Sequence, residues 1–253
     1  MVGNGTVIGL LGFRVKRNPF SVYILNLAIA DFAFLLCLSI RVIMALFDYH
    51  PYEPIVALIS LFLMVSMAGL SLLMAISTER CLSVTFPIWY KCRCPAHLST
   101  TVCALIWGLS LCLGIPWFLC VYYDRKICYT QYRVYSVLSL LTLLVLCVSS
   151  LTLLIRVHCC SRRRQVTKLY RVILLTMLTY VVLVVPLSVS FLVRNISDTP
   201  YYSDSLQLVL FLLAALNSAV NPVIYFFVGR QGQWPGRRTL RELLQSALTE
   251  DTS

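Results

Sequence analysis

Long stretches without a charged side chain constrain this chain more than any other feature of its sequence. Five uncharged runs exceed the roughly 20 residues that an α-helix needs to cross the hydrocarbon core of a bilayer. They are residues 54–78, 95–123, 134–155, 172–193 and 205–228. A sixth run, residues 20–40, is interrupted once, by Asp31. Because backbone polar groups in lipid must be satisfied internally, and because the apolarity is continuous rather than alternating, these runs predict transmembrane helices.

The composition excludes several classes of soluble protein. Of the 253 residues, 59% are hydrophobic and only 12% are charged, with a formal net charge of +11. A soluble domain has about a quarter of its residues charged. The abundance of Leu, Val and Ile excludes a disordered chain. A nucleic-acid binder is excluded because the chain has no soluble domain that would present the excess basic residues to a nucleic acid.

Residues 1–13 predict only part of a further helix. They are uncharged, but at about 1.5 Å per residue they reach roughly 20 Å, which is too short to cross a bilayer. We expect them to be the inner half of an N-terminally truncated first helix, because a cleaved signal peptide would need a basic region before the apolar segment. The sequence thus predicts an all-α membrane protein whose seven-helix bundle occupies residues 1–228.

The distribution of basic residues predicts the orientation of the bundle. The connections between spans fall alternately on the two sides of the membrane. The connections on one side, together with the C-terminal tail, hold most of the Lys and Arg: Arg14, Lys16, Arg17, Lys91, Arg93, Arg156, Arg162, Arg163, Arg164, Lys168, Arg230, Arg237, Arg238 and Arg241. The connections on the other side hold only Arg125 and Lys126. The positive-inside rule places the first side in the cytosol, so the N-terminus is expected outside and the C-terminus inside the cell.

The last segment, residues 229–253, differs in character from the spans. Within it, residues 237–248 repeat Leu and Ala at helical spacing with charged residues between them. This pattern predicts a short amphipathic helix that lies along the inner leaflet and contacts membrane lipid rather than crossing it.

Few polar groups occur within the predicted spans, and each is a functional candidate because ionisable groups in hydrocarbon are costly. Asp31 lies in the middle of the second span, Arg41 in its outer part, and Glu79 and Arg80 at the inner end of the third. The uncharged polar candidates are the side chains of Asn4, Asn217, Ser218 and Asn221.

These residues belong to a set of motifs that resembles the signature of rhodopsin-like (class A) G-protein-coupled receptors. The set comprises Gly3-Asn4, the string at residues 27–31 that ends in Asp31, Glu79-Arg80-Cys81, Trp107, Pro186 and the Asn-Pro-Val-Ile-Tyr string at residues 221–225. The strings at residues 16–26, 76–83 and 86–90 are similar to the MAS-related receptor subfamily. The resemblance covers the chain from end to end.

The resemblance implies a machinery for G-protein coupling at the inner ends of the helices. Arg80 would turn from Glu79 to backbone carbonyls of a heterotrimeric G protein once the inner ends part. Prolines at 186 and 222 remove helical hydrogen bonds and permit hinges, and Tyr225 would swing inward below Asn221 and Pro222. The acid that often restrains the arginine from the sixth span is missing from residues 164–168, so we expect weaker restraint at rest.

The resemblance also implies a polar network around Asp31. A buried, unpaired carboxylate is expensive, so Asp31 must be protonated, hydrogen-bonded or paired with a cation. In relatives the equivalent Asp faces the positions of Asn217, Ser218 and Asn221, with that of Asn4 behind, and often holds a sodium ion. Gly69 stands where many relatives supply a hydroxyl, so a sodium site here would lack one ligand. A protonated carboxyl in a polar network is the alternative.

Two cysteines are expected at the outer face. Cys120 and Cys128 bracket the end of the fourth span and are able to form a disulfide if their Cα atoms lie within about 7 Å. This pairing agrees with the MAS-related pattern, in which the disulfide joins the fourth and fifth helices.

The outer halves of the helices supply candidates for a ligand pocket: Arg41, Trp117, Asp124, Arg133 and Arg194. The three arginines favour an anionic or C-terminal carboxylate group on the ligand. Aromatic residues at this depth are also common as anchors at the membrane interface.

Together these features predict a plasma-membrane receptor that transmits an extracellular peptide or small-molecule signal to a G protein, without covalent chemistry. A retinal pigment is excluded because no span contains Lys. A truncated, signalling-dead receptor and a small-molecule transporter are the alternatives, although a transporter would be expected to carry more buried charge and an internal repeat.

Overall fold

Helices account for nearly all of the chain that the structure describes. The computed structural model describes residues 1–13, 19–49, 52–93, 95, 97–123, 125–159, 168–197, 204–230 and 242. Nine helices lie within these ranges: α1 Val2–Phe13, α2 Pro19–Leu46, α3 Tyr52–Thr85, α4 Pro87–Arg93, α5 Leu98–Tyr123, α6 Arg125–Cys159, α7 Lys168–Leu183, α8 Val185–Ser197 and α9 Asp204–Arg230.

Six segments of the described chain are long and apolar enough to cross a membrane. They lie in α2, α3, α5, α6, the α7–α8 pair and α9, as the uncharged runs predicted. The shorter apolar helix α1 adds a seventh element to the bundle, and α4 links the ends of α3 and α5. The seven-helix, all-α fold predicted from the sequence is therefore confirmed. The predicted amphipathic helix at residues 237–248 lies outside the described residues.

The helices continue beyond the uncharged runs. The fifth span was predicted at residues 134–155, whereas α6 extends from Arg125 to Cys159. A helix keeps its backbone hydrogen bonds when it leaves the hydrocarbon, so basic residues at its ends mark the membrane boundary and not the end of the helix.

The sixth span is divided at Val184, two residues before Pro186. Because proline has no backbone N–H, the helical hydrogen bond from position 186 is missing. The amide of Val184 still donates to the carbonyl of Tyr180 at 2.9 Å, and the amide of Ser188 donates to the carbonyl of Val184 at 3.2 Å. The division therefore falls where the sequence predicted a hinge. In contrast, Pro222 lies within the continuous helix α9.

The third transmembrane helix, α3, forms the centre of the bundle and packs against α2, α5 and α6. The main core includes buried side chains such as Leu27, Ala68, Leu72 and Leu146. Many large apolar side chains point outward instead, as Leu109 does with 67% of its surface exposed. Exposed apolar surface around the whole bundle is what a lipid-facing exterior requires, because lipid tails are as apolar as these side chains.

Candidate functional site

Polar side chains from three helices meet at Asp31 in the middle of the bundle. The amide nitrogen Nδ2 of Asn221 on α9 donates a 2.7 Å hydrogen bond to Oδ2 of Asp31 on α2. From α1, Nδ2 of Asn4 donates a 2.9 Å hydrogen bond to the backbone carbonyl of Ser218. Asn4, Asp31 and Asn221 are all buried. The network thus joins α1, α2 and α9 where the sequence predicted it.

A cavity of about 60 Å³ adjoins this network. Asp31, Asn217 and Ser218 line one part of it, and the hydroxyl-bearing residues Ser66, Tyr135, Ser139, Tyr180 and Ser188 line the remainder among apolar side chains. A single buried water needs roughly 10–15 Å³ of such space, so the cavity is adequate for a few waters or a hydrated ion.

Unpaired oxygen atoms at this network indicate what the cavity is able to hold. The side-chain oxygens of Asn4, Asn217 and Asn221 are buried and have no hydrogen-bond partner among the described residues. Carboxylate and amide oxygens are the ligands that hard cations prefer. Gly69 lines the same cavity as Asp31, and a Cβ atom at Gly69 would lie 4.0 Å from Ala30 Cβ, which is ordinary contact.

Two of the predicted coupling residues, Glu79 and Arg80, lie near one end of α3, each with a neighbour from another helix. The hydroxyl of Tyr90 on α4 donates a hydrogen bond to Oε1 of Glu79, and Tyr23 on α2 is a second hydrogen-bonding neighbour of Glu79. The guanidinium carbon of Arg80 lies 5.1 Å from the centre of the Phe20 ring on α2. Glu79 is buried and Arg80 is partly buried.

Tyr225 lies one turn beyond Pro222 on α9. Its side chain is only 1% exposed, and its hydroxyl has no hydrogen-bond partner among the described residues. A buried hydroxyl without a partner costs free energy, so another position that satisfies this group would be favoured. The arrangement is compatible with the inward movement that the resemblance implies for Tyr225.

The structure also shows polar contacts that sequence reasoning missed. Ser77 on α3 is fully buried, and its hydroxyl lies 2.7 Å from that of Ser150 and 2.9 Å from that of Ser149, both on α6. In addition, Nε1 of Trp107 donates a 3.0 Å hydrogen bond to Oδ1 of Asn26. Serine within an uncharged run was the available signal, because hydroxyls in membrane helices commonly hydrogen-bond across helices.

An aromatic cluster adjoins the cavity. The rings of Phe34 and Phe62 are 4.8 Å apart between centroids, and Phe211 meets Phe62 edge-on at 5.3 Å. These three residues come from α2, α3 and α9, and two of them line the cavity. Phenylalanines in separate apolar runs gave no signal in the sequence that these three would meet.

The ligand-pocket candidates whose side chains the structure describes are not gathered at the cavity. Arg41 and Arg133 are exposed, and neither lines it. Trp117 is buried against Leu63 in a separate small cluster. Asp124 and the side chain of Arg194 lie outside the described part of the structure, as do the side chains of Cys120 and Cys128, so their roles stay predictions.

Comparison with known proteins supplies the family of this bundle. Residues 3–225 match the profile of the seven-transmembrane receptors of the rhodopsin family. The chain is 41% identical to Mas-related G-protein coupled receptor member A of Rattus norvegicus, over 99% of this chain and 85% of the relative. It is 43% identical to member X1 of Homo sapiens, over 99% of this chain and 80% of the relative.

These matches confirm the resemblance drawn from the sequence motifs, and they fit the seven helical segments and six membrane-crossing lengths described above. Member A6 of Mus musculus gives a similar result, with 41% identity over 99% of this chain. The chain is therefore a multi-pass membrane protein and belongs to the Mas-related G-protein-coupled receptors of the rhodopsin family.

Proposed function

We propose that an extracellular ligand widens the cytosolic end of this bundle, at the plasma membrane, so that Arg80 contacts a heterotrimeric G protein and accelerates its nucleotide exchange. The observation that carries this proposal is the geometry at the end of α3. There Arg80 is held by an aromatic ring and Glu79 by a phenol hydroxyl. Such contacts are worth about 1–2 kcal/mol each, so a ligand with a modest preference for the open state is able to release them.

The exposed apolar residues that follow α3 support the same proposal. Phe86 and Ile88, at the junction of α3 and α4, are 57% and 80% exposed. They follow directly after the α3 span, which ends at Thr85. Apolar side chains that leave the membrane-crossing part of a helix and remain exposed are suited to a protein partner. The positive-inside rule, applied to the basic residues of the sequence, supports a cytosolic position for this end of α3.

The test of this proposal is nucleotide exchange by purified receptor in lipid nanodiscs, with a panel of GDP-loaded heterotrimers. We expect at least one heterotrimer to release GDP faster when receptor is present. An epitope tag at the C-terminus is expected to be accessible only in permeabilised cells. Failure of every heterotrimer under all stimuli would favour the signalling-dead alternative.

We propose that the ligand carries an anionic group, such as a free peptide C-terminus. Arg41 near the end of α2 and Arg133 near the start of α6 are both exposed and available for bidentate contact with a carboxylate. In the exchange assay, active peptides are expected to lose about tenfold or more in potency when the terminal carboxylate is amidated. Equal potency of each amidated peptide and its parent would contradict this assignment.

We propose that the cavity beside Asp31 holds a sodium ion. The carboxylate, the unpaired Asn217 oxygen and the adjoining space support the proposal. Sodium at ten times its dissociation constant should stabilise the receptor by about 1.4 kcal/mol, since it binds only the folded state. Thermal denaturation in sodium chloride should therefore occur at a higher temperature than in matched N-methylglucamine chloride, and the difference should vanish in Asp31→Asn. The same sodium effect in the parent receptor and in Asp31→Asn would contradict a sodium site at Asp31.

A further inference from the structure

The inner end of α2 presents an aromatic face to the coupling arginine. Phe20 is the second residue of α2, and only 2% of its side chain is exposed. The guanidinium carbon of Arg80 lies 5.1 Å from the centroid of its ring. A guanidinium within about 6 Å of a ring centroid is attracted by the negative electrostatic potential above the aromatic face, which arises from the ring quadrupole. Because Phe20 belongs to the main core of the bundle, its ring is a fixed platform for Arg80.

The neighbouring carboxylate has hydrogen-bond donors of its own. Tyr90 donates to Oε1 of Glu79, and Tyr23, one turn after Phe20 on α2, is its second hydrogen-bonding neighbour. Two tyrosines therefore stabilise Glu79 while the Phe20 ring stabilises the charge on Arg80. Since Phe20 and Tyr23 are both on α2, this helix contacts both members of the Glu79-Arg80 pair.

The sequence at the start of α7 contains no carboxylate that would take the place of this contact. Residues 162–171 include Arg and Lys but neither Asp nor Glu. An ion pair between Arg80 and this segment is therefore impossible, and weak restraint at rest was the expectation from the sequence. A cation–π contact supplies restraint without an acid, at an energy comparable to that of a partly exposed ion pair.

We propose that Phe20 is a positioning residue that holds Arg80 in the resting receptor and that Arg80 leaves the ring when the cytosolic end opens. The proposal rests on the coupling role of Arg80 given above and adds the group that regulates it. Loss of the aromatic face shifts the equilibrium toward the open state without any ligand. Phe20 thus sets the ligand-free activity of the receptor.

The test compares three variants in ligand-free nanodiscs with the GDP-loaded heterotrimers. Phe20→Leu removes the aromatic face and keeps an apolar side chain, whereas Phe20→Tyr keeps the face. Phe227→Leu is the matched control, because Phe227 is 61% exposed near the end of α9. We expect Phe20→Leu to raise basal GDP release by roughly threefold to tenfold, as the energy of a cation–π contact implies. Phe20→Tyr should raise basal release less than Phe20→Leu does, and Phe227→Leu should match the parent receptor.

Hydrogen–deuterium exchange at the inner end of α3 separates this proposal from the proposed function. Faster exchange in Phe20→Leu than in Phe20→Tyr, with Phe227→Leu unchanged, supports the restraint even if no heterotrimer responds to any receptor. That outcome would contradict only the coupling role. Equal exchange in all variants, together with equal basal GDP release, overturns the restraint. If Phe20→Leu is not recovered folded, Phe20→Met removes the aromatic face with less loss of volume and gives the same two readouts.

Discussion

A receptor in which Ala replaces Arg80 is expected to lose agonist-driven GDP release by roughly 30-fold or more. Truncation of an arginine at the centre of a protein interface commonly costs at least about 2 kcal/mol, and 1.4 kcal/mol corresponds to a factor of ten. Arg80 is suited to this role because it lies near the end of α3, a few residues before the exposed Phe86 and Ile88 in the sequence. The measurement is GDP release at saturating agonist, with receptor amount matched in nanodiscs.

Two further variants define what the loss means. Arg80→Lys keeps the positive charge but lacks the planar set of donors, so intermediate activity is expected if carbonyl groups of the partner are bound. Arg156→Ala removes an exposed arginine near the end of α6 and should change GDP release by less than about threefold, as rim charges do. Equal losses in Arg80→Ala and Arg156→Ala would show that only the total charge of the surface matters.

Variants of Phe20 and Arg80 should act in opposite directions, although the two side chains are in contact. Removal of the ring frees Arg80 and raises ligand-free exchange, whereas removal of Arg80 eliminates the group that the ring restrains. The double variant Phe20→Leu/Arg80→Ala should therefore be as inactive as Arg80→Ala alone. This non-additivity is the usual property of residues that act through one contact.

The spans were predictable because lipid leaves few structural choices. An uncharged apolar run of sufficient length must be helical, and all six such runs lie in helices of the described chain. The ends of those helices were less predictable. The extension of α6 from residue 134 back to Arg125 depends on backbone hydrogen bonds outside the lipid, where sequence periodicity carries little information.

The polar network around Asp31 was predictable because the sequence motifs resemble those of rhodopsin-like receptors. The contacts of the pair Glu79-Arg80 were not predictable. Asp31 and Asn221 carry motif signals in the sequence, and the structure brings them within 2.7 Å. Phe20, Tyr23 and Tyr90 are ordinary apolar or aromatic residues in sequence. Their contacts with Glu79 and Arg80 depend on the approach of α2 and α4 to one end of α3. Tertiary proximity of this kind is not encoded in the local sequence pattern.

The close approach of α5 to α3 gives the second large expected effect. An ideal Cβ atom at Gly114 would lie 3.1 Å from Cβ of Met64 and 3.2 Å from the carbonyl oxygen of Ser60. Backbone atoms of α3 cannot yield as a flexible side chain does. Gly114→Val should therefore destabilise the receptor by about 2 kcal/mol through overpacking, which corresponds to a fall of roughly 4–8 °C in the midpoint of thermal denaturation.

Gly108 on the same helix provides the matched control for this substitution. A Cβ atom there would meet nothing within 4 Å, so Gly108→Val adds the same side chain to α5 without a clash. Its midpoint should stay within about 2 °C of the parent, because surface substitutions away from special features usually change stability by under 0.5 kcal/mol. Small residues let membrane helices approach closely, and packing is a main source of their association. Equal destabilisation of both variants would mean that valine weakens the helix α5 itself. It would contradict the prediction that a clash with α3 causes the loss of stability in Gly114→Val.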